Sequence, residues 1–138
     1  MTMRNGLVLG LLLTVPVFFG CAPPHRDLPP DQIEKLGKLE EVMDVQATVA
    51  DPQFKKIDQG SYTDADWAAF ADTGNRLQAT SKKILSFTKG PEFDAFANQL
   101  HVNAEKLSSA AAAKDAKAAS DTLASIKATC KECHSKFR

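Results

Sequence analysis

Cys130-Lys131-Glu132-Cys133-His134 stands four residues before the end of the sequence. The spacing C-x-x-C-H is the attachment signature of a c-type haem. Two thiols add to the two vinyl groups of one porphyrin, and an imidazole must then reach its iron. On a helix, at about 100° per residue, positions three and four apart lie on one face. Cys130, Cys133 and His134 can therefore meet one flat ring, while Lys131 and Glu132 point away. Two other readings fit less well. A zinc site wants about four ligands, and the remaining Cys and His residues, Cys21, His25 and His101, are scattered along the chain. A thiol-redox pair opens a helix in a βαβ context, whereas this pair sits at the far end of a helical pattern with no strand before it.

That helical pattern extends upstream. Ala119, Leu123, Ile126, Cys130, Cys133 and Phe137 recur at helical spacing, which predicts a helix over about 115–136 whose apolar stripe runs into the two thiols. Before it, Phe93, Phe96, Ala97, Leu100, Ala104, Leu107 and Ala111 mark another helix. Gly90 stops the helix before and Pro91 starts this one. The intervening turn falls within 112–115, where an alanine run leaves its position open. His101 follows Leu100, off the stripe, and is expected to be exposed. A further helix starts near Thr63, with Tyr62 before the cap and Trp67 at the fourth helical position, the layout of a hydrophobic staple. Its inner face carries Trp67, Phe70, Ala71, Gly74, Leu77, Ser81, Ile84 and Leu85. Gly74 suits a close helix crossing or the approach of a ring. The first helix is expected to open at Asp31, with Glu34 as the capping acid. Its stripe is Ile33, Leu36, Leu39, Val42, Met43, Ala47 and Ala50. Asp51-Pro52 should break or kink it, with a short extra helix around Phe54 and Ile57. Four helices joined by short connections predict an all-α antiparallel four-helix bundle over residues 31–138.

The N-terminus reads as a targeting segment. Arg4 precedes an apolar run over 7–19, too short to span a bilayer comfortably. Phe18-Phe19-Gly20-Cys21 resembles a bacterial lipobox, so residues 1–20 are expected to be a lipoprotein-type signal peptide and Cys21 the lipid attachment point. Simple secretion is the alternative. Residues 21–30 contain four prolines and form an extended tether, in which His25 is a solvated linker residue. The cysteines then divide without remainder: two for haem, one for lipid. The expected location is the periplasmic side of a bacterial membrane, lipid-anchored or else soluble.

Composition limits the function classes. The 138 residues suffice for one domain, and 43% hydrophobic content supports a core. Seventeen basic residues balance 17 acidic ones, so no basic field points to nucleic acid. There is no Ser/His/Asp set and no Gly-rich phosphate loop. A carrier is expected rather than an enzyme.

A signal-led chain with four predicted helices and C-x-x-C-H close to its C-terminus resembles the class II cytochromes c, the cytochrome c-prime family and its low-spin relatives. Cys130 to Arg138 is similar to the family's ending, where an aromatic and a basic residue follow the histidine; the stretch 107–113 is similar as well. The resemblance implies one covalent haem c, thioether links at Cys130 and Cys133, His134 as the iron ligand, and Arg138 near the imidazole or a propionate. It also implies a split on the first helix. An apolar residue there leaves the iron five-coordinate and open to nitric oxide or carbon monoxide; a methionine there gives a low-spin electron carrier. Met43 is the only methionine after the signal segment and is the expected sixth ligand, with Leu36 and Leu39 as competitors for the slot. Lys127, Lys131, Lys136 and Arg138 could steer an acidic redox partner protein. Members of the family often pair as a homodimer through their first two helices.

Overall fold

The computed structural model describes residues 26–138. The signal segment, Cys21, His25 and the first half of the tether lie outside the described residues. The described residues form α1 (Pro30–Ile33), α2 (Leu39–Phe54), α3 (Asp64–Ile84), a 3-10 turn (Leu85–Phe87), α4 (Pro91–Ala113) and α5 (Ala116–Phe137). The four long helices make the expected bundle. Of the three expected downstream helices, each appears with the expected caps. Thr63 caps α3: its Oγ1 accepts from the Asp66 N–H at 3.2 Å while Asp66 Oδ2 accepts from the Thr63 N–H at 2.9 Å. Tyr62 and Trp67 close the staple edge to face, centroids 5.1 Å apart. Gly90, at φ 111°, precedes Pro91 at the first position of α4. The uncertain turn resolves at Lys114, in the left-handed region, and Asp115, whose Oδ1 accepts from the Ala118 N–H at 3.0 Å.

The first helix differs from expectation. It does not run from Asp31. After one turn the chain is unwound through Gly37, and α2 starts only at Leu39. The capping acid is Glu41, whose Oε2 accepts from the Gly37 and Lys38 N–H groups, each at 3.2 Å; Glu34 instead closes the short α1. Gly37 favours non-helical backbone, and Glu41 is better placed to satisfy the orphan donors. Pro52 does not break α2 but sits in its last turn, and the helix ends two residues later at Phe54. The short extra helix around Phe54 and Ile57 is absent; a turn with Asp58 at φ 64° takes its place. The second half of the tether, 26–29 ahead of α1, lies on the bundle. Arg26 pairs with Glu41 at 3.1 Å, Asp27 with Arg76, and Leu28 packs against the core.

The core lies between α3, α4 and α5, with Phe70, Leu77, Leu107, Leu123 and Ile126 fully buried. Side-chain pairs that cross the bundle include Gln46 with Thr80, Gln78 with Ser108, Ser81 with His101, and Asn103 with Thr129. Gly74 serves the α3–α4 crossing. A Cβ there would lie 2.3 Å from Ser108 Oγ and 2.9 Å from the Ala104 carbonyl oxygen. α3 packs extensively on α4, α4 on α5 and α2 on α3, while α2 and α5 barely touch. That gap positions the site.

Asp66 ties the loop before α3 to its cap. Lys56 Nζ lies 2.5 Å from Asp66 Oδ1, and with the Thr63 N–H and hydroxyl it pulls the carboxyl down to about 2. A carboxyl lowered by folding contributes stability above its unfolded value, near 3.8, and loses it as the pH falls through its folded value. The expected result is that Asp66→Asn lowers the melting temperature at neutral pH but flattens its decline between about pH 4 and 2. A variant whose acid limb parallels the wild type's would show that this pair contributes nothing to acid stability.

Candidate functional site

The gap between α2 and α5 is a cleft of about 680 Å³, within the range of cofactor pockets, about 300–1,000 Å³. One wall is α5. Its stripe is fully buried through Ala119, Leu123 and Ile126, then becomes half-buried at Cys130, Cys133 and Phe137, where the facing helix is missing. Cys130, Cys133 and His134 line the cleft, whereas Lys131 and Glu132 are exposed and do not. The other wall is α2. Its apolar stripe splits in two: Val42, Val45 and Val49 are buried in the core, while Leu39, Met43, Ala47 and Phe54 are only half-buried or exposed and line the cleft. One continuous buried face was expected. The split arises because α2 has apolar neighbours on one side, α3, and open space on the other.

The cleft thus brings together Met43, Cys130, Cys133, His134 and Arg138. Leu39 joins them, but Leu36 is buried elsewhere, against the core. An adjoining cavity of about 30 Å³ reaches inward past Met43 and Gln46 to Phe93, Phe96 and Leu100. His101 stands apart from both. It was expected to be exposed, but its ring is half-buried, with Nδ1 3.0 Å from Ser81 Oγ and Nε2 3.5 Å from Glu105. Ser81 spends its hydroxyl hydrogen on the Gln78 carbonyl, so the ring nitrogen donates.

The last turn of α5 is held in place from outside. Phe137 packs edge to face on Phe93 at 5.3 Å, and Lys89 Nζ donates to the Phe137 carbonyl at 3.2 Å. Lys136 pairs with Glu92. The turn carrying His134 is therefore braced by the start of α4.

The residues present fit a porphyrin. The slot is long, open on one side and mostly apolar in its depth. Cations at Lys89, Lys127 and Arg138 stand at its lining on the α5 side, where ring carboxylates could be met; Glu40, Asp44 and Asp51 line the α2 side. Sequence reasoning missed Gln46, Lys89 and this acidic edge. Gln46 had a signal, its place three residues after Met43; Lys89 had none, since it joins the cleft only through the α3–α4 turn. The thiols are not tuned for redox attack in the free protein. Burial raises Cys130 to about 11, assisted by Cys133 and Asp51, and burial raises Cys133 against the pull of Lys89. A reactive thiol needs the opposite shift. Among the described residues, no three His, Cys, Asp or Glu side chains gather to hold a bare metal ion, and no helix is long and apolar enough to cross a membrane.

A family model described as cytochrome C′ matches residues 31–138. No curated protein and no solved structure matches the chain.

Proposed function

The chain belongs to the cytochrome c′ family, whose members bind a covalently attached haem c, and on that premise we propose that it is an electron carrier with two protein ligands to its iron. Electron transfer and gas binding are the two activities the family offers. The observation that favours transfer is the Met43 thioether lining the same cleft as His134, on the facing helix.

In this reading Cys130 and Cys133 carry the thioether links, His134 is the ligand from α5, and Met43 is the ligand from α2. When bound, the haem supplies an iron that alternates between two oxidation states. The residues of this chain keep that change cheap. Two fixed ligands and a water-poor slot minimise rearrangement. Phe137 and Lys89 hold the His134 turn still. Arg138 offsets negative charge at the cleft. Lys127 and Lys131 carry no ion pair among the described residues and present positive charge beside the cleft to an acidic redox partner. Members of the family are typically periplasmic, and the lipobox-like Cys21 would tether this one to a membrane there. Since residues 26–30 lie against the bundle, only the few residues between Cys21 and Arg26 would span from lipid to domain, at most about 17 Å at full extension.

The decisive experiment is an absorption spectrum of the reduced protein with and without carbon monoxide. A six-coordinate low-spin spectrum that carbon monoxide barely alters is expected. A five-coordinate high-spin spectrum that carbon monoxide converts at once overturns the carrier reading. The gas-binding reading has one observation of its own: Leu39, one turn before Met43, also lines the cleft and would leave the sixth position open if it faced the iron.

A further inference from the structure

Gln46 is a polar side chain with 8% of its surface exposed, in an otherwise apolar part of the cleft. It lines both the wide cleft and the adjoining small cavity, as Met43 does. Three residues apart on α2, the two share a face.

Its amide is held in one orientation. Gln46 Nε2 lies 3.1 Å from Thr80 Oγ1. Thr80 is fully buried, and its single hydroxyl hydrogen goes to the Leu77 carbonyl at 3.2 Å. With that hydrogen on the Leu77 carbonyl, the Thr80 oxygen accepts from the Gln46 amide nitrogen. A primary amide has two N–H groups. One is spent on Thr80; the second has no protein partner among the described residues. Buried donors are rarely left so. The adjoining cavity, about 30 Å³, has room for a molecule the size of water. Thr129 and His134 also line it; the Thr129 hydroxyl is engaged, donating to the Ser125 carbonyl at 2.9 Å, and His134 is reserved for the iron in the proposed reading.

We propose that Gln46 is a specificity-determining residue of the sixth coordination position, its free amide N–H reserved for the outer atom of a polar diatomic ligand that takes the place of Met43. The inference rests on the reading that the iron lies between His134 and α2. An apolar pocket treats diatomic ligands by size alone; one fixed donor favours those that accept a hydrogen bond. Thr80 acts through Gln46, as a positioning residue. Met43 and Gln46 would then divide the labour: the thioether keeps the position closed for electron transfer, and the amide determines which ligand can hold it once opened.

The test uses the full haem-loaded chain with carbon monoxide as the probe. Met43→Ala opens the position, and Gln46→Leu is added to it. A donor near the bound ligand lowers the C–O stretching frequency, so Gln46→Leu should move the band to higher wavenumber. Gln46→Met, similar in length but without a donor, should move it the same way. Thr80→Val should broaden the band, because the amide loses its anchor. An identical C–O band in the single Met43→Ala variant and the double variant overturns the proposal. If Met43→Ala leaves the spin state unchanged, the ligation reading fails separately. The comparison then moves to the chain with Met43 intact, where Gln46→Leu must still shift the band. Failure of carbon monoxide to bind even after Met43→Ala has opened the position also overturns it.

Discussion

Replacing Met43 with alanine is expected to convert the protein from a low-spin to a high-spin form and to open it to carbon monoxide. The argument runs from chemistry to position. Thioether sulfur is a soft ligand that raises the reduction potential of a haem iron held by histidine on the other side. Met43 stands on the half-buried edge of α2 and lines the cleft together with His134 and both thiols. Alanine removes the sulfur and leaves space behind, and no other methionine lies among the described residues. Loss of the ligand should lower the potential on the order of 0.1 V, out of the roughly 0.8 V that axial ligation spans. The fold should persist, because Met43 only packs at the edge of the core. Absorption spectroscopy and a redox titration check both effects. Retention of the low-spin spectrum would reject Met43 as ligand; in that case Leu39→Ala becomes the informative variant, and it should speed carbon monoxide binding by widening the pocket.

The largest stability effect is expected at Gly74. Here α3 and α4 approach so closely that a Cβ meets the Ala104 carbonyl oxygen at 2.9 Å and the Ser108 backbone nitrogen at 3.0 Å. Ser108 Oγ, at 2.3 Å, can rotate away; the backbone atoms cannot. Gly74→Val must push the two most extensively packed helices apart, and overpacking of this kind costs about 1–3 kcal/mol, sometimes more. A fall in melting temperature on the order of 10 °C follows for a domain of this size. Gly37→Ala is the control, since its Cβ would meet nothing within 4 Å, and it should be nearly neutral. The spectrum of Gly74→Val should stay unchanged, because the strain falls on α3 and α4 and the cleft lies between α2 and α5. Equal melting temperatures for the two variants would show that the close crossing is not a constraint.

Much of this was legible in the residues themselves. The starts of α3 and α4 were readable because their signals are local, Thr63 between Tyr62 and Trp67 and Gly90 before Pro91, whereas the α4–α5 turn was placed only within 112–115 because the alanine run before Asp115 suits helix throughout. The thiols and His134 were readable because their chemistry demands a fixed spacing on one helix. The failures share a cause as well. The start of the first helix was misplaced because Asp31 with Glu34 carries the better local capping signal, whereas the long helix opens at Lys38, whose side chain makes no cap, with Glu41 bonding the Gly37 and Lys38 N–H groups. His101 was expected in solvent because its own helix places it off the stripe; Ser81, on a different helix, draws it in.

The pattern of the chain by itself determined that there are four long helices, where three of them begin, and that one of them ends in a haem attachment sequence, since all of these are contacts within a few residues. Only the tertiary structure decided that α2 and α5 stand apart, and so that the stripe of α2 serves two surfaces. Periodicity reports that a helix face is apolar, not whether it meets another helix or an open slot. That distinction depends on which helices pack against α2: α3 does, and α5 barely does.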